Sequence, residues 1–156
     1  MKTTYLALAP IMLLLAGCAT PLAIEASAEQ PSAASSPHGV LDERIAYYAD
    51  AYDVPESLIH RVVQRESGYN PASHVGPYWG LMQIRLDTAR GMGYRGTARG
   101  LLNADANLKY AVAYLSNAYI VAGGDPDRAV ALYAAGYYFE ARRKGLLDRL
   151  RTAQSD

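Results

Sequence analysis

Several residue types are scarce in this chain of 156 residues. It has one cysteine, one tryptophan and one phenylalanine, and its charged residues balance to a formal net charge of zero at pH 7. A single cysteine excludes an internal disulfide framework and a cysteine-based metal cluster. The histidines, His38, His60 and His74, are scattered without metal-ligand spacing. This spacing gives no reason to expect a metal site. Since nucleic-acid binders carry a basic face or arm, we also expect no nucleic-acid partner.

Tyrosine is abundant, with 13 residues, and 51% of the chain is apolar. A Tyr side chain combines an apolar ring with a polar tip, which suits both a wet sugar-binding cleft and a half-buried helical surface. The apolar fraction is sufficient for an ordinary globular core, and the length fits one domain once a targeting segment is removed. Composition therefore predicts one globular domain and leaves its function open.

The N-terminal segment has the features of a secretion signal. Residues 5–16 are almost wholly apolar, a run too short for a bilayer core, which needs about 20 apolar residues, but typical of a secretory signal. It ends in L-A-G-C at Leu15–Cys18, which resembles the lipobox of bacterial lipoproteins. The resemblance implies a lipoprotein signal peptide at residues 1–17, cleavage before Cys18 and lipidation of its thiol. The alternative is a plain signal peptide cleaved near Ala16 or Ala19, in which Cys18 has no role.

Residues 18–39 join the lipidated cysteine to the rest of the chain. They are rich in Ala, Ser and Pro and have no periodicity, which predicts a flexible linker with a reach of about 25 Å. Ala19 follows the cysteine where Asp would indicate inner-membrane retention in enteric-type bacteria. We therefore expect a periplasmic protein anchored in a membrane by its lipid, with the outer membrane favoured, and a folded domain at residues 40–156. Protein partners are not predicted.

Apolar residues recur with a helical period from Leu41 onward. Pro55 suits the first turn of a second helix, and Gly68 suits the end of that helix. The predicted helices start near Leu41, Pro55, Leu81, Asp105, Pro126 and Phe139. The last of them is predicted to run to Thr152. Because no convincing period-two alternation accompanies them, we predict an all-α or nearly all-α fold.

Glu66 is the first candidate for chemistry. It follows Val62 and Val63 by four and three residues, so it continues the apolar face of its helix at the C-terminal end. Burial and the negative end of the helix dipole both raise the pKa of a carboxyl group placed there. An acid that is still protonated near neutral pH can donate a proton to a glycosidic oxygen. The alternative is a surface Glu paired with Arg65 or Arg61.

Four sequence blocks surround and follow this residue. They are E-S-G-Y-N-P at Glu66–Pro71, G-L-M-Q-I at Gly80–Ile84, a Thr-Ala pair at Thr88–Ala89 and L-Y-A-A-G at Leu132–Gly136. In this order they resemble the Slt-type soluble lytic transglycosylases, whose pattern is E-S-x-[FY]-N-P, G-L-M-Q-[IL], Thr-Ala and A-Y-N-A-G. The resemblance covers roughly residues 41–145 and implies a goose-lysozyme-like fold, a lysozyme-like helical domain.

The resemblance also implies the reaction and the site residues. Such enzymes cleave the β-1,4 bond between N-acetylmuramic acid and N-acetylglucosamine in peptidoglycan glycan strands and form 1,6-anhydromuramic ends without a metal or cofactor. Glu66 would be the single catalytic acid and base, and Ser67 would lie in the active site. Met82 and Gln83 would contact the glycan, and Tyr133 would position Glu66.

Each implied role has an alternative. Met82 could fill the core, Gln83 could stabilise a turn, and Tyr133 could be a buried helical residue. Asp87 could serve as a second carboxylate, which would make the protein a hydrolytic muramidase on the same fold. Ala134 replaces the Asn of A-Y-N-A-G, which leaves a catalytically inactive peptidoglycan-binding lipoprotein as a further alternative.

Overall fold

The computed structural model of the protein describes residues 38–153. The predicted signal peptide at residues 1–17, the lipidation site Cys18 and the linker as far as residue 37 lie outside the described residues. Between residues 38 and 153, no helix has the length and apolar character needed to cross a bilayer.

The described backbone is mainly helical. Its α-helices are α1 (Gly39–Tyr52), α2 (Glu56–Ser67), α3 (Leu86–Gly91), α4 (Ala104–Ala122), α5 (Pro126–Ala135) and α6 (Tyr138–Arg143). Short 3₁₀ helices lie at Ala98–Leu102 and Leu147–Arg149. Three two-residue strands complete it: β1 (His74–Val75), β2 (Tyr78–Trp79) and β3 (Ile84–Arg85). The predicted all-α or nearly all-α fold is confirmed.

Helix α4 lies at the centre of the core. It packs against α1, α3 and α5, and it is apolar around most of its circumference, so that most sides need a neighbour. Its alanines bring the neighbouring helices close to its backbone, while Leu108, Val112 and Leu115 fill the spaces between them. Helices α1, α3 and α5 therefore pack around one buried central helix.

The ends of the helices carry residues that are typical of helix caps. Gly68 caps α2 in the left-handed conformation with φ 58°, and Gly123 caps α4 in the same way with φ 71°. At the start of α4, the Asn103 side chain accepts a hydrogen bond from the amide of Ala106. Asp125 caps α5 in the same manner. These signals fix where α2 ends and where α4 and α5 begin.

The predicted third helix starting at Leu81 is wrong at its beginning. Residues 81–83 form a turn, β3 follows, and α3 begins only at Leu86. Gln83 has φ 48°, a left-handed conformation that a right-handed helix cannot contain. The strands pair antiparallel in the order β1-β2-β3, and strands of two residues are too short for period-two alternation to be recognised in the sequence.

The predicted last helix is also too long. Helix α6 ends at Arg143, and Gly145 follows with φ 66°. The chain then returns to the core, where the fully buried Asn117 donates to the carbonyl of Arg151 and accepts from its amide, both at 2.8 Å. The amide of Ala153 donates to the carbonyl of Met92 at 2.9 Å. Residues 146–153, which include the 3₁₀ helix Leu147–Arg149, are therefore part of the folded domain.

Candidate active site

One cleft runs beside the small sheet. It consists of two adjoining cavities of about 350 and 180 Å³. The residues that line both cavities are Tyr78, Gln83, Tyr133 and Ala134. Arg65 and Glu66 line only the larger cavity, and Arg85 lines only the smaller one. We call these two cavities together the cleft, with Glu66 at one end and Arg85 at the other.

Glu66 occupies the last turn of α2, and its side chain is 24% exposed. Burial raises the pKa of its carboxyl group, and the positive charge of Arg65 partly opposes the rise. The Arg65 Nε atom lies 3.5 Å from Glu66 Oε1. Among the described residues that line the cleft, Glu66 is the only carboxylate. Glu66 therefore lines the cleft, and its carboxyl group has the raised pKa that the sequence predicts.

The turn that follows Glu66 is held by aromatic contacts. Gly68 and Tyr69 both have positive φ values, 58° and 65°, and a left-handed residue other than Gly costs about 1 kcal/mol. The Tyr69 hydroxyl lies 2.7 Å from His60 Nδ1, and the Tyr69 ring stacks on His38 with 4.2 Å between centroids. Sequence reasoning missed this cluster, because residues on three separate segments meet only in the folded chain.

Tyr133 reaches the cleft from α5. Its hydroxyl donates a hydrogen bond of 2.8 Å to the carbonyl of Met82, and its ring packs edge-on against Tyr114. Burial raises its pKa well above the usual value, and the nearby charge of Glu66 adds to the rise. The hydroxyl is therefore neutral, and Tyr133 and Glu66 both line the larger cavity of the cleft.

The two central residues of G-L-M-Q differ in what they present to the cleft. Met82 is 0% exposed, so the expected contact with glycan is not available to its side chain, which packs in the core. Gln83 lines the cleft, but its Nε2 atom donates to the carbonyls of Ser73 and Gly80 at 3.1 and 2.8 Å. Gln83 therefore stabilises the turn as well as forming part of the cleft wall.

Ser67 is placed differently from the expectation. It is not among the described residues that line the cleft, and its hydroxyl donates to the carbonyl of Val63 at 3.3 Å. Such a bond to the preceding helical turn is typical of Ser near the end of a helix. Ser67 therefore supports the helix end that presents Glu66.

Asn107 attaches the G-L-M-Q turn to α4. Its fully buried amide accepts from the amide of Met82 at 2.9 Å and donates to the carbonyls of Trp79 and Leu101 at 2.7 and 2.8 Å. A Cβ atom on Gly80 would lie 2.3 Å from both Asn107 Nδ2 and the Leu101 carbonyl oxygen, so glycine is required there. The signal in the sequence is an Asn beside the apolar stripe of α4, since buried amides need partners.

Residues 43–151, well over half of the chain, match the family described as the Transglycosylase SLT domain. The chain belongs to this family. No solved structure gives a significant match. Membership agrees with the lysozyme-like helical fold and indicates a transglycosylase-type function on the glycan of peptidoglycan.

The SLT domain exposes an aromatic ring at the middle of the cleft. Tyr78 is 43% exposed and lies opposite Arg85 in the pairing of β2 with β3. The Arg85 guanidinium carbon is 6.0 Å from the centre of the Tyr78 ring. On β2, Trp79 stacks on His74 with 3.7 Å between ring centroids. Sequence reasoning assigned no role to Tyr78, because the strand that orients it could not be predicted.

Asp87 lies outside the cleft of the SLT domain. Its side chain is 80% exposed, and its carboxylate is 3.7 Å from Arg85. It does not line either cavity of the cleft. A hydrolase with two carboxylates needs them about 5–9.5 Å apart across the scissile bond. The structure therefore gives Asp87 the place of a surface residue rather than of a second catalytic group.

A larger cavity of about 670 Å³ lies elsewhere in the SLT domain, between the C-terminal ends of α1 and α4. Its carboxylates belong to Asp50 and Asp53, which are both exposed. Neither carboxylate is shielded from water, unlike the carboxyl group of Glu66, whose side chain is 24% exposed. The smaller cleft therefore carries the candidate chemistry.

Proposed function

We propose that this SLT domain is a lytic transglycosylase. It would cleave the β-1,4 bond between N-acetylmuramic acid and N-acetylglucosamine and leave a 1,6-anhydromuramic end. The observation that carries the proposal is Glu66, the single carboxylate among the described residues that line the cleft, with a pKa raised by burial. A reaction that needs one group to act first as an acid and then as a base fits this arrangement.

In the first step, protonated Glu66 donates its proton to the glycosidic oxygen. The bond between that oxygen and C1 of the muramic residue breaks, and the oxygen leaves as the hydroxyl of N-acetylglucosamine. Positive charge develops at C1, where the carbonyl oxygen of the muramic N-acetyl group stabilises it as an oxazolinium. Partial burial of Glu66 favours this step because it shifts the equilibrium of the carboxyl group towards the protonated form.

In the second step, ionised Glu66 accepts the proton of the muramic 6-hydroxyl group. The hydroxyl oxygen attacks C1 and closes the anhydro ring, which restores the protonated acid and adds no water to the product. The alternative, a muramidase, would activate a water molecule with a second carboxylate. The exposed Asp87, outside the cleft, offers no support for that alternative.

The surrounding residues would keep the acid in place. The Tyr133 hydroxyl holds the Met82 carbonyl at 2.8 Å and lies near Glu66. Gln83 is fixed by two hydrogen bonds of its amide nitrogen. In our proposal, Tyr133 positions Glu66, Gln83 contacts the sugar with its cleft-facing surface, and Met82 acts through its backbone. Groups fixed before the substrate binds favour catalysis.

We further propose that Cys18 is lipidated and that the domain is held at a membrane of the periplasm, with the outer membrane favoured. The support is the L-A-G-C sequence at Leu15–Cys18 and the Ala, Ser and Pro-rich linker that follows it. Several acyl chains on one cysteine provide stable attachment, since each buried CH₂ group contributes about 0.8 kcal/mol. The linker would let the domain reach nearby glycan strands.

The proposed acid role predicts a particular pH dependence. We expect kcat/KM to fall as the pH rises through the raised pKa of Glu66, because the proton needed in the first step is then lost. Arg65 lowers this pKa, so Arg65→Gln should move the alkaline limb to higher pH. The measurement is the pH profile of anhydro-product release by each protein.

The matched control is Arg61→Gln, which removes the same charge from an exposed position on α2 that does not line the cleft. Its alkaline limb should coincide with that of the wild type. An alkaline limb that stays in place or moves to lower pH in Arg65→Gln would contradict the role of Glu66 as the titrating acid.

Mass analysis of the products tests the reaction itself. Purified peptidoglycan is digested with the protein, and the muropeptides are expected to be lighter by one water than hydrolysed ones. Reducing-end products would instead identify a muramidase. Absence of any product from a folded protein that still binds peptidoglycan would identify a binding lipoprotein, the possibility raised by Ala134 in the cleft wall.

A further inference from the structure

The end of the cleft away from Glu66 has a charge of its own. Among the described residues that line the smaller cavity, Arg85 is the only charged one. The other polar groups there include Thr88 and Tyr114, which are neutral hydroxyl side chains. This end of the cleft therefore presents a positive charge and hydroxyl groups to whatever occupies it.

Tyr78 lies between the Arg85 end and the Glu66 end of the cleft. It lines both cavities, and its exposed ring is carried by the central strand of the sheet, with pairing on both sides. Its backbone is therefore well fixed. The ring of Tyr78 and the guanidinium of Arg85 project from directly opposite positions of β2 and β3 and lie in cation–π contact. A flat apolar face and a planar cation are thus held side by side.

The ion pair with Asp87 leaves part of the Arg85 side chain accessible to other ligands. Asp87 approaches to 3.7 Å, but the side chains of Arg85 and Asp87 are 49% and 80% exposed. Ion pairs at such exposed positions contribute little to stability. A carboxylate that is bound in the cleft can therefore compete with Asp87 for the guanidinium.

We propose that Tyr78 and Arg85 form a subsite for a carboxylate-bearing sugar. The pyranose ring lies on the Tyr78 ring, and the carboxylate of its substituent binds the Arg85 guanidinium. The inference rests on the proposed function, because it assumes that glycan occupies the cleft. In peptidoglycan, the carboxylate belongs either to a free lactyl group on the muramic residue or to the peptide attached to it. Both sources offer the same chemistry to Arg85.

Binding is measured with the full chain in detergent, carrying Glu66→Gln so that strands are not consumed. The ligands are soluble glycan strands with peptides, strands stripped of peptides to free lactyl groups, and both kinds after their carboxylates are converted to neutral methylamides. Adding Arg85→Gln is expected to weaken binding of acidic strands about 10-fold or more, as for loss of a charge-assisted hydrogen bond. Neutralised strands should bind both proteins equally.

The matched control is Arg90→Gln, which removes a charge from an exposed position of α3 outside the cleft. It should leave the affinity for every strand unchanged. A 10-fold loss on stripped strands assigns the carboxylate to the lactyl group, and a loss confined to peptide-bearing strands assigns it to the peptide. Either result supports the subsite.

Two outcomes would overturn the subsite. One is an equal loss of affinity for acidic and neutralised strands in Arg85→Gln, which would mean a structural role. The other is equal affinity of the protein with Arg85 intact for acidic and neutralised strands, a result that does not depend on whether Arg85→Gln folds. Because binding is measured without turnover, failure of the proposed reaction appears separately, as wild-type protein that releases no anhydro products.

Discussion

Replacement of Glu66 by Gln is expected to reduce the release of anhydro products by on the order of 10³-fold or more, since general acid–base catalysis by one group contributes about 10²–10⁴-fold and Glu66 would act in both steps. The amide keeps the size of the side chain but can neither give nor take the proton. Binding of glycan strands should change little, so the loss should appear in kcat. The measurement is initial product release at saturating glycan.

The matched control is Glu43→Gln, the same substitution at an exposed position of α1. It should retain wild-type activity. Residual activity of Glu66→Gln within about 10-fold of the wild type would be far above what loss of a general acid allows, and it would remove Glu66 from the centre of the mechanism.

The stability of Glu66→Gln separates a catalytic loss from misfolding. Burial places the pKa of Glu66 in the folded state above its ordinary value in the unfolded chain. Between the two values the folded protein binds more protons, so the stability of the wild type falls as the pH rises through this interval. Gln does not titrate. We therefore expect the difference in Tm, Glu66→Gln minus wild type, to be largest above the raised pKa of Glu66. This difference should decrease as the pH falls towards the ordinary pKa of a carboxyl group.

Replacement of Asn107 by Ala is expected to cost about 3–4 kcal/mol of unfolding free energy and to abolish activity. The substitution leaves the amide of Met82 and the carbonyls of Trp79 and Leu101 without the partners they have in the folded protein. Because Tyr133 holds the same Met82 residue by its carbonyl, the disturbance reaches the cleft. Chemical denaturation and product release measure the two effects.

Asn103→Ala provides the comparison for Asn107→Ala, since it removes an exposed side-chain cap at the start of the same helix. It should cost about 1 kcal/mol and leave activity intact. If Asn107→Ala were as stable as Asn103→Ala, or remained fully active, Asn107 would not be the connection between α4 and the G-L-M-Q turn.

The helical frame of the domain could be predicted from the sequence because its signals are local. Pro55 and Gly68 bound α2 as predicted, and α5 begins at Pro126, where the sequence predicts a helix start. The apolar face of α2 also placed Glu66 at the inner side of a helix end, and the structure gives that carboxyl group a raised pKa. Period and capping depend on residues within one or two turns, so one sequence suffices to read them.

The part that could not be predicted depends on contacts between distant segments. The strands of the sheet have only two residues each. Gln83 adopts a left-handed conformation that is not expected from its residue type. Met82 was expected at the glycan but points into the core, because the turn is fixed by Asn107, 25 residues further along the chain. Positions set by such tertiary hydrogen bonds leave no periodic trace in the sequence.

The hydrogen bonds between Asn117 and Arg151 determine how far the domain must extend if it is moved into another protein. The motifs that suggest the function end at Gly136, yet the amide of Asn117 is satisfied by Arg151, and Ala153 bonds to Met92. Cutting after the motifs would strip a buried amide of its partners and uncover the core beside it. The smallest autonomous unit therefore extends at least to Ala153, and any protein fused behind it has to start beyond that residue.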